Sequence, residues 1–167
     1  MRYREQDWAP DNGFAYHNWW HLALFHIEHE DFPGAVRLYD EKVIPGDSDV
    51  TVQMLDATAL LWRLHLHEVD VGQRWNRLAD MWARKTPVEN GYYAFNDLHA
   101  LISFIGAGRT TEARKVLAAV EAAAESNIES ACRMAREVGI PACAAFLAFA
   151  EERYKDAVNL LLPIRTI

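Results

Sequence analysis

The sequence predicts an all-α fold of about four antiparallel helical hairpins, stacked as a right-handed α-α superhelix. Three observations predict it. Residues that open second helices recur: Ala35 with Tyr39, Ala113 with Leu117 and Ala157 with Leu161, with Arg74 midway between the first two, at intervals of 39 to 44 positions. A fixed period of that size marks a helical repeat array, in which each hairpin buries its apolar face against its neighbours. Only 8 Gly and 6 Pro stand in 167 residues, too little turn-forming material for a sheet-rich chain. Apolar residues, 51% of the chain, fall at helical spacing through long segments.

Residues 1–13 have no helical period and carry Pro10, Asp11, Asn12 and Gly13, which predicts an N-terminal arm ending in a turn, with Trp8 docked on the array. The remainder, 14–167, reads as a single helical-repeat domain. From Phe14 to Glu30, Trp20, Ala23, Leu24 and Ile27 follow helical spacing; Asp31-Phe32-Pro33-Gly34 breaks the pattern, and Val36 and Tyr39 resume it. The next break is Ile44-Pro45-Gly46-Asp47-Ser48, with Ser48 or Asp49 placed to cap a helix through Met54, Ala57, Leu60, Leu61 and Leu64 that ends near His67. Val69-Asp70-Val71-Gly72 leads into a helix with Trp75, Leu78, Ala79 and Trp82 on one stripe, stopping before Pro87.

In the third pair Phe95, Leu98, Leu101, Ile102 and Ile105 form one face. Gly106-Ala107-Gly108-Arg109 turns the chain, Thr110 or Thr111 caps the partner, and Ala113, Val116, Leu117 and Val120 face back. The last pair begins with Ile128, Ala131, Cys132, Ala135 and Val138 and continues past Gly139-Ile140-Pro141 to Cys143, Phe146 and Phe149. Pro141 removes one backbone hydrogen bond, so this stretch is expected to be one kinked long helix. A final helix carries Ala157, Val158, Leu160, Leu161 and Leu162 without a polar cap. That ending predicts continuation into a longer array, or packing of the last helix against another copy.

The formal charge of −7, from 17 basic and 24 acidic residues, opposes attraction to nucleic acid or an anionic membrane. No secretory leader pattern and no apolar run of about 18 residues occurs, so the reading is a soluble, cytoplasmic protein. Cys132 and Cys143 lack a CxxC spacing and read as small buried residues with free thiols.

Two patterns, Tyr154-x-x-Ala157-x-x-x-Leu161 and Trp19-x-x-Leu22 followed by Ala35 and Tyr39, resemble the tetratricopeptide repeat, with a period longer than the usual one of about 34. The strings HNWWHLALFHIE (17–28), MLDATALLWRL (54–64) and YAFNDLHALI (93–102), with GAGR (106–109) and GIPAC (139–143), together resemble the tetratricopeptide repeat protein 38 family from about Trp8 to Arg165. The resemblance implies a tetratricopeptide-like superhelix and a chain corresponding to the central-to-C-terminal portion of a longer array. It implies no activity, catalytic residue, metal or cofactor.

His17 and His21 stand four apart, which puts both imidazoles on one helix face. Glu28 is seven residues beyond His21, too far to join them, and no HExxH motif occurs. A metal would need a third ligand from another helix, with Asp56, Asp97 or His99 as candidates. The competing expectation is a buried polar network: Asp56 tied to a backbone amide, an Arg or a His, Arg63 nearly eclipsed with it, and Asn96, Asp97 and His99 heading their helix. Trp19, Trp20, Trp62, Trp75 and Trp82 read as packing residues, but Trp19 and Trp20 are about 100° apart, so only one of them faces fully inward. His26, His29, His65 and His67 read as solvated.

These polar residues concentrate on three first helices, so His17, Trp20, His21, Asp56, Arg63, Asn96, Asp97 and His99 are the candidate ligand-binding residues of a concave face. The leading expectation is a scaffold for an unidentified protein or peptide, with no nucleic acid or membrane as partner and a homo-oligomer formed through the uncapped last helix as a further possibility. The alternative is an enzyme or a small-molecule or metal-binding site, in which a His acts as base and Asp56 or Asp97 orients it.

Overall fold

The computed structural model describes residues 12–125 and 129–166, with the backbone alone for 129–131. Trp8, Ile128 and the Ala131 side chain lie outside the described residues. The protein is all-helical, with no strand among the described residues. The chain divides into two compact units, Met1–Arg74 and Trp75–Ile167.

In the first unit, Asn12 turns the chain into the array: its side-chain oxygen accepts the Phe14 N–H at 3.0 Å. Helix α1 (Ala15–Glu28) packs against α2 (Phe32–Leu38) and α3 (Thr51–Leu66). Trp19, Ala23 and Ile27 of α1 meet a core that includes Ala35, Tyr39, Met54, Ala57, Leu60, Leu61 and Leu64, all buried. The break expected through Gly34 ends earlier. Asp31 is the N-cap, its carboxylate accepting the Gly34 N–H at 3.0 Å, and Pro33 sits in the first helical turn, where its missing N–H costs nothing.

Helix α2 finishes in a π-helical turn, Tyr39–Val43. Capping of α3 by Ser48 or Asp49 does not occur. Val50 is the N-cap and caps with no side chain, while the Ser48 hydroxyl accepts the Val50 N–H at 3.1 Å within the preceding loop. His67 does end α3. Arg74, the midpoint of the repeat spacing, forks onto the Asp40 carboxylate (Nε–Oδ1 2.9 Å, Nη2–Oδ2 2.5 Å) and tethers the segment after α3 back to the end of α2.

The second unit comprises the rest of α4 (Arg74–Glu89), α5 (Ala94–Gly106), α6 (Thr110–Ala124), α7 (Glu129–Met134), α8 (Ile140–Ala150) and α9 (Tyr154–Leu161), which closes in a 3-10 turn, Leu162–Ile164. Trp75, Leu78, Ala79 and Trp82 form the buried stripe of α4 as expected, joined by Met81. The helix does not stop before Pro87. It runs on to Glu89, because a proline so near the end removes one backbone bond only, and the Lys85–Glu89 ion pair (3.2 Å) spans it.

Phe95 is 63% exposed rather than on the buried face of α5. It stands at the helix start, where its ring lies against His99 (centroids 4.5 Å apart), and the buried positions are Asp97 and Ala100 to Phe104. Neither Thr110 nor Thr111 caps α6; Arg109 holds the N-cap position and contributes no side-chain cap bond. Around Pro141 the backbone stays helical from Glu129 to Ala150, because a π-helical turn, Ala135–Gly139, joins α7 to α8. The wider turn accommodates the proline ring that an unbroken α-helix would clash with.

The repeat is visible as one turn made four times. The residues Glu30, Glu68, Gly108 and Glu152 all adopt left-handed backbone, with φ of 57°, 58°, 71° and 59°. The N–H of each following residue reaches back to the preceding helix: Asp31 to the His26 carbonyl (2.8 Å), Val69 to Leu64 (3.0 Å), Arg109 to Phe104 (2.8 Å) and Arg153 to Ala148 (2.8 Å). This is the Schellman closure of a helix C-terminus. At three of the four, an alanine four residues on, Ala35, Ala113 or Ala157, is buried and bonds back to that same following residue. The recurring alanines of the sequence are therefore the first-turn residues of second helices, small because the first helix crosses there. After Glu68 the chain inserts Asp70, Val71 and Gly72 before α4, and Arg74 is the first residue of that helix rather than the counterpart of the fourth-position alanines.

Candidate functional site

The first unit brings five predicted residues together on α1 and α3. His17 and Asp56 face each other across these helices, with the Asp56 Oδ2 2.9 Å from the His17 Nδ1. Asp56 is buried while His17 is half-exposed. Burial pushes the Asp56 carboxyl up, and the hydrogen bond from His17 opposes that shift. Tyr16, the neighbour on α1, has its phenol raised by burial and then by the Asp56 charge. With the carboxylate accepting from Nδ1–H, His17 keeps its lone pair on Nε2. That nitrogen lies 3.2 Å from the His21 Nε2.

Trp20 holds the pair from the side. Its indole stacks on His17 (5.3 Å between centroids, 15° between planes) and meets His21 edge-on at 4.8 Å. The guanidinium carbon of Arg63 sits 5.6 Å above the Trp20 ring, and its Nη1 donates to the Ala59 carbonyl at 2.8 Å. Trp19 is buried and Trp20 half-buried, so only Trp19 faces fully inward, as expected. The expected polar network thus exists, with His17 as the partner of Asp56. Arg63, although nearly eclipsed with Asp56 on α3, turns to the indole instead.

As the third ligand of a metal, Asp56 is displaced: it contacts the outer nitrogen of His17 rather than the space between the two Nε2 atoms. Among the described residues no group of three or more His, Cys, Asp or Glu could hold a metal ion.

In the second unit the remaining candidates do separate work. The Asp97 Oδ1 accepts the Gly91 N–H at 3.0 Å and fixes the turn between α4 and α5; Oδ2 is buried without a hydrogen-bond partner. Asp97 is only 2% exposed, and burial drives its carboxyl to about 6. The His99 Nδ1–H donates to the Phe95 carbonyl at 2.8 Å within its own helix. Asn96 and Asp97 line a shallow cleft with Lys85, Glu89 and Asn90. Asn96 and Asp97 are candidates of the sequence analysis, whereas Glu89 and Asn90 gave no sequence signal, because they follow Pro87, where α4 was expected to stop.

Sequence reasoning missed a second His–Asp pair. His26 was expected to be solvated, yet its Nδ1 lies 2.6 Å from the Asp31 Oδ2, and that bond, with the Gly34 N–H, lowers the Asp31 carboxyl. The signal was available in the five-residue spacing across the turn. His29, His65 and His67 are exposed as expected. Both cysteines are free, with Cys143 buried and Cys132 half-buried. On α9, Tyr154, Val158, Leu161 and Leu162 leave an exposed apolar row.

The fold and the site together define an all-helical repeat protein whose polar cluster sits on the first helices of its hairpins. No known protein-family profile and no solved structure matches the chain. No described helix is long and apolar enough to cross a membrane.

Proposed function

We propose that this protein is a soluble, cytoplasmic interaction scaffold of the tetratricopeptide-like type, taking a peptide or protein segment on the face formed by α1 and α3. The observation that carries the reading is the Arg63–Trp20–His17 stack. It is an ordered aromatic and cationic surface on first helices, the residue types that anchor interfaces. The unused donors of the exposed Arg63 guanidinium fit a segment carrying a carboxylate. The repeated hairpin turn and the resemblance of 17–28, 54–64 and 93–102 to the tetratricopeptide repeat protein 38 family support the same reading.

The test is capture of binding partners by the purified chain compared with Trp20→Ala and Arg63→Glu, with Glu121→Lys on α6 as a surface control. Proteins retained by the parent and the control should be lost from both α1–α3 variants. An unchanged captured set, or no captured protein at all, would sink the reading.

A second reading, a small-molecule or metal site, is favoured by the Asp56–His17 contact, which fixes one histidine tautomer in the manner of carboxylate-oriented histidines.

A further inference from the structure

We infer that His17 and His21 form a two-histidine chelate for a borderline transition-metal ion such as Zn²⁺, Cu²⁺ or Ni²⁺, with Asp56 as the supporting carboxylate. The separation of the two ring nitrogens fits two ligands of one metal ion. Bonds of about 2.0–2.1 Å at a tetrahedral angle place two imidazole nitrogens about 3.3–3.4 Å apart, and at a right angle about 2.9 Å. The observed Nε2–Nε2 separation of 3.2 Å lies between these values. The two rings are nearly perpendicular, at 82°, with centroids 4.7 Å apart.

The proton inventory agrees. Asp56 accepts from the His17 Nδ1–H, so the His17 Nε2 lone pair is directed at His21. In the metal-free pair the His21 Nε2–H occupies the gap between the rings. A metal ion entering that gap replaces this proton, which moves to the outward Nδ1 of His21, so neutral histidines bind without net proton release. Asp56 then stands where the carboxylate of a carboxylate–histidine–metal triad stands, orienting the ring and raising its basicity.

Trp20 limits ring rotation by stacking on His17 and abutting His21, so little ordering entropy remains to be lost on binding. Because His21 is exposed, the remaining coordination positions open to solvent and are taken by water. Two imidazoles select borderline ions over Mg²⁺ and Ca²⁺, which require oxygen donors.

The experiment is isothermal titration of the full chain with Zn²⁺ in a non-chelating buffer, beside His17→Ala, His21→Ala and Asp56→Asn. Circular dichroism confirms that each variant is folded. One Zn²⁺ per chain is expected, with binding weakened at least tenfold in either histidine variant and roughly tenfold to a hundredfold in Asp56→Asn. Cu²⁺ electron paramagnetic resonance should resolve two nitrogen ligands in the parent and one in His21→Ala. His21 is exposed, so its removal tests the site without threatening the core. Equal Zn²⁺ affinity in the parent and His21→Ala would place the ion on the other histidines and overturn the assignment, as would failure of the parent to bind Zn²⁺ more tightly than Mg²⁺. The peptide-docking reading is unaffected by either result, because its variants are read by partner capture.

Discussion

The buried carboxylate of Asp56 accepts a hydrogen bond from the Nδ1 of His17 at 2.9 Å, joining α3 to α1 across 39 positions of sequence. Removing the acceptor leaves a half-exposed imidazole without its partner, and a hydrogen bond to a charged group contributes roughly 1.5–3 kcal/mol. Asp56→Ala should therefore lower stability by about 1–2 kcal/mol in urea unfolding. It should also release the His17 tautomer, visible as a mixture of ring-nitrogen resonances where the parent gives one. A single unchanged tautomer in Asp56→Ala would show that the contact does not set it.

Asp97 predicts a pH dependence of stability. Its carboxyl is raised from 3.8 to about 6 by burial, so the folded chain holds this proton more tightly than the unfolded chain. The contribution is favourable at low pH and is lost as pH rises through about 6; the ionised group then costs about 3 kcal/mol relative to an unperturbed carboxylate. Asp97→Asn keeps an acceptor for the Gly91 N–H and cannot ionise. Relative to the parent, it should gain stability between pH 4.5 and pH 7.5, measured by urea midpoints at the two values. A constant difference across that range would contradict the assignment.

The left-handed residues of the hairpin turns make opposite predictions by residue type. Glu30, Glu68 and Glu152 hold a conformation that costs a side-chain-bearing residue about 1 kcal/mol, whereas Gly108 holds it freely. Replacing any of the three glutamates by Gly should raise stability by about 0.5–1 kcal/mol, and Gly108→Ala should lower it by a similar amount. Thermal melts of the four single variants decide this, and stabilisation by Gly108→Ala would refute it.

Gly106 is small for a different reason. A Cβ there would lie 2.3 Å from the Trp75 Cδ2, inside the indole that packs α4 against the end of α5. Gly106→Ala gains about 1 kcal/mol of helix propensity but must displace a buried ring, at about 1–3 kcal/mol. Net destabilisation is expected, with Trp75 fluorescence shifted. A more stable Gly106→Ala would mean the ring moves aside at no cost.

Cys143 should be chemically inert in the folded chain, since burial and the nearby Asp97 charge push its thiol up to about 12. Under native conditions iodoacetamide should label Cys132 first, with Cys143 labelled only on unfolding, as peptide mass spectrometry would report. Labelling of Cys143 at an equal rate would contradict its burial.

Much of this molecule was legible in order along the chain. The stripes Met54, Ala57, Leu60, Leu61, Leu64 and Trp75, Leu78, Ala79, Trp82 are buried as their spacing required, because helical periodicity and burial are the same fact seen in one and three dimensions. The ends of helices were harder to read. Thr110 and Thr111 carry capping side chains yet do not cap α6, because the Gly108 turn is already closed by a backbone bond to α5, while the Ser48 hydroxyl is engaged by the Val50 N–H inside its own loop. Three glutamates occupy positions where glycine is the usual signal, so no local preference could reveal them.

The sequence by itself determined an all-helical chain, the places of its hairpins and the closeness of His17 to His21, since these depend on residues within a few turns of one another. Only the tertiary structure decided what those histidines can do. The pairing of His17 with Asp56, the turn of Arg63 onto Trp20 and the seating of Asp97 against the Gly91 turn follow from how helices and turns meet. That geometry is fixed by packed volume and by the cost of leaving a buried polar atom unpaired, and spacing along one helix carries neither.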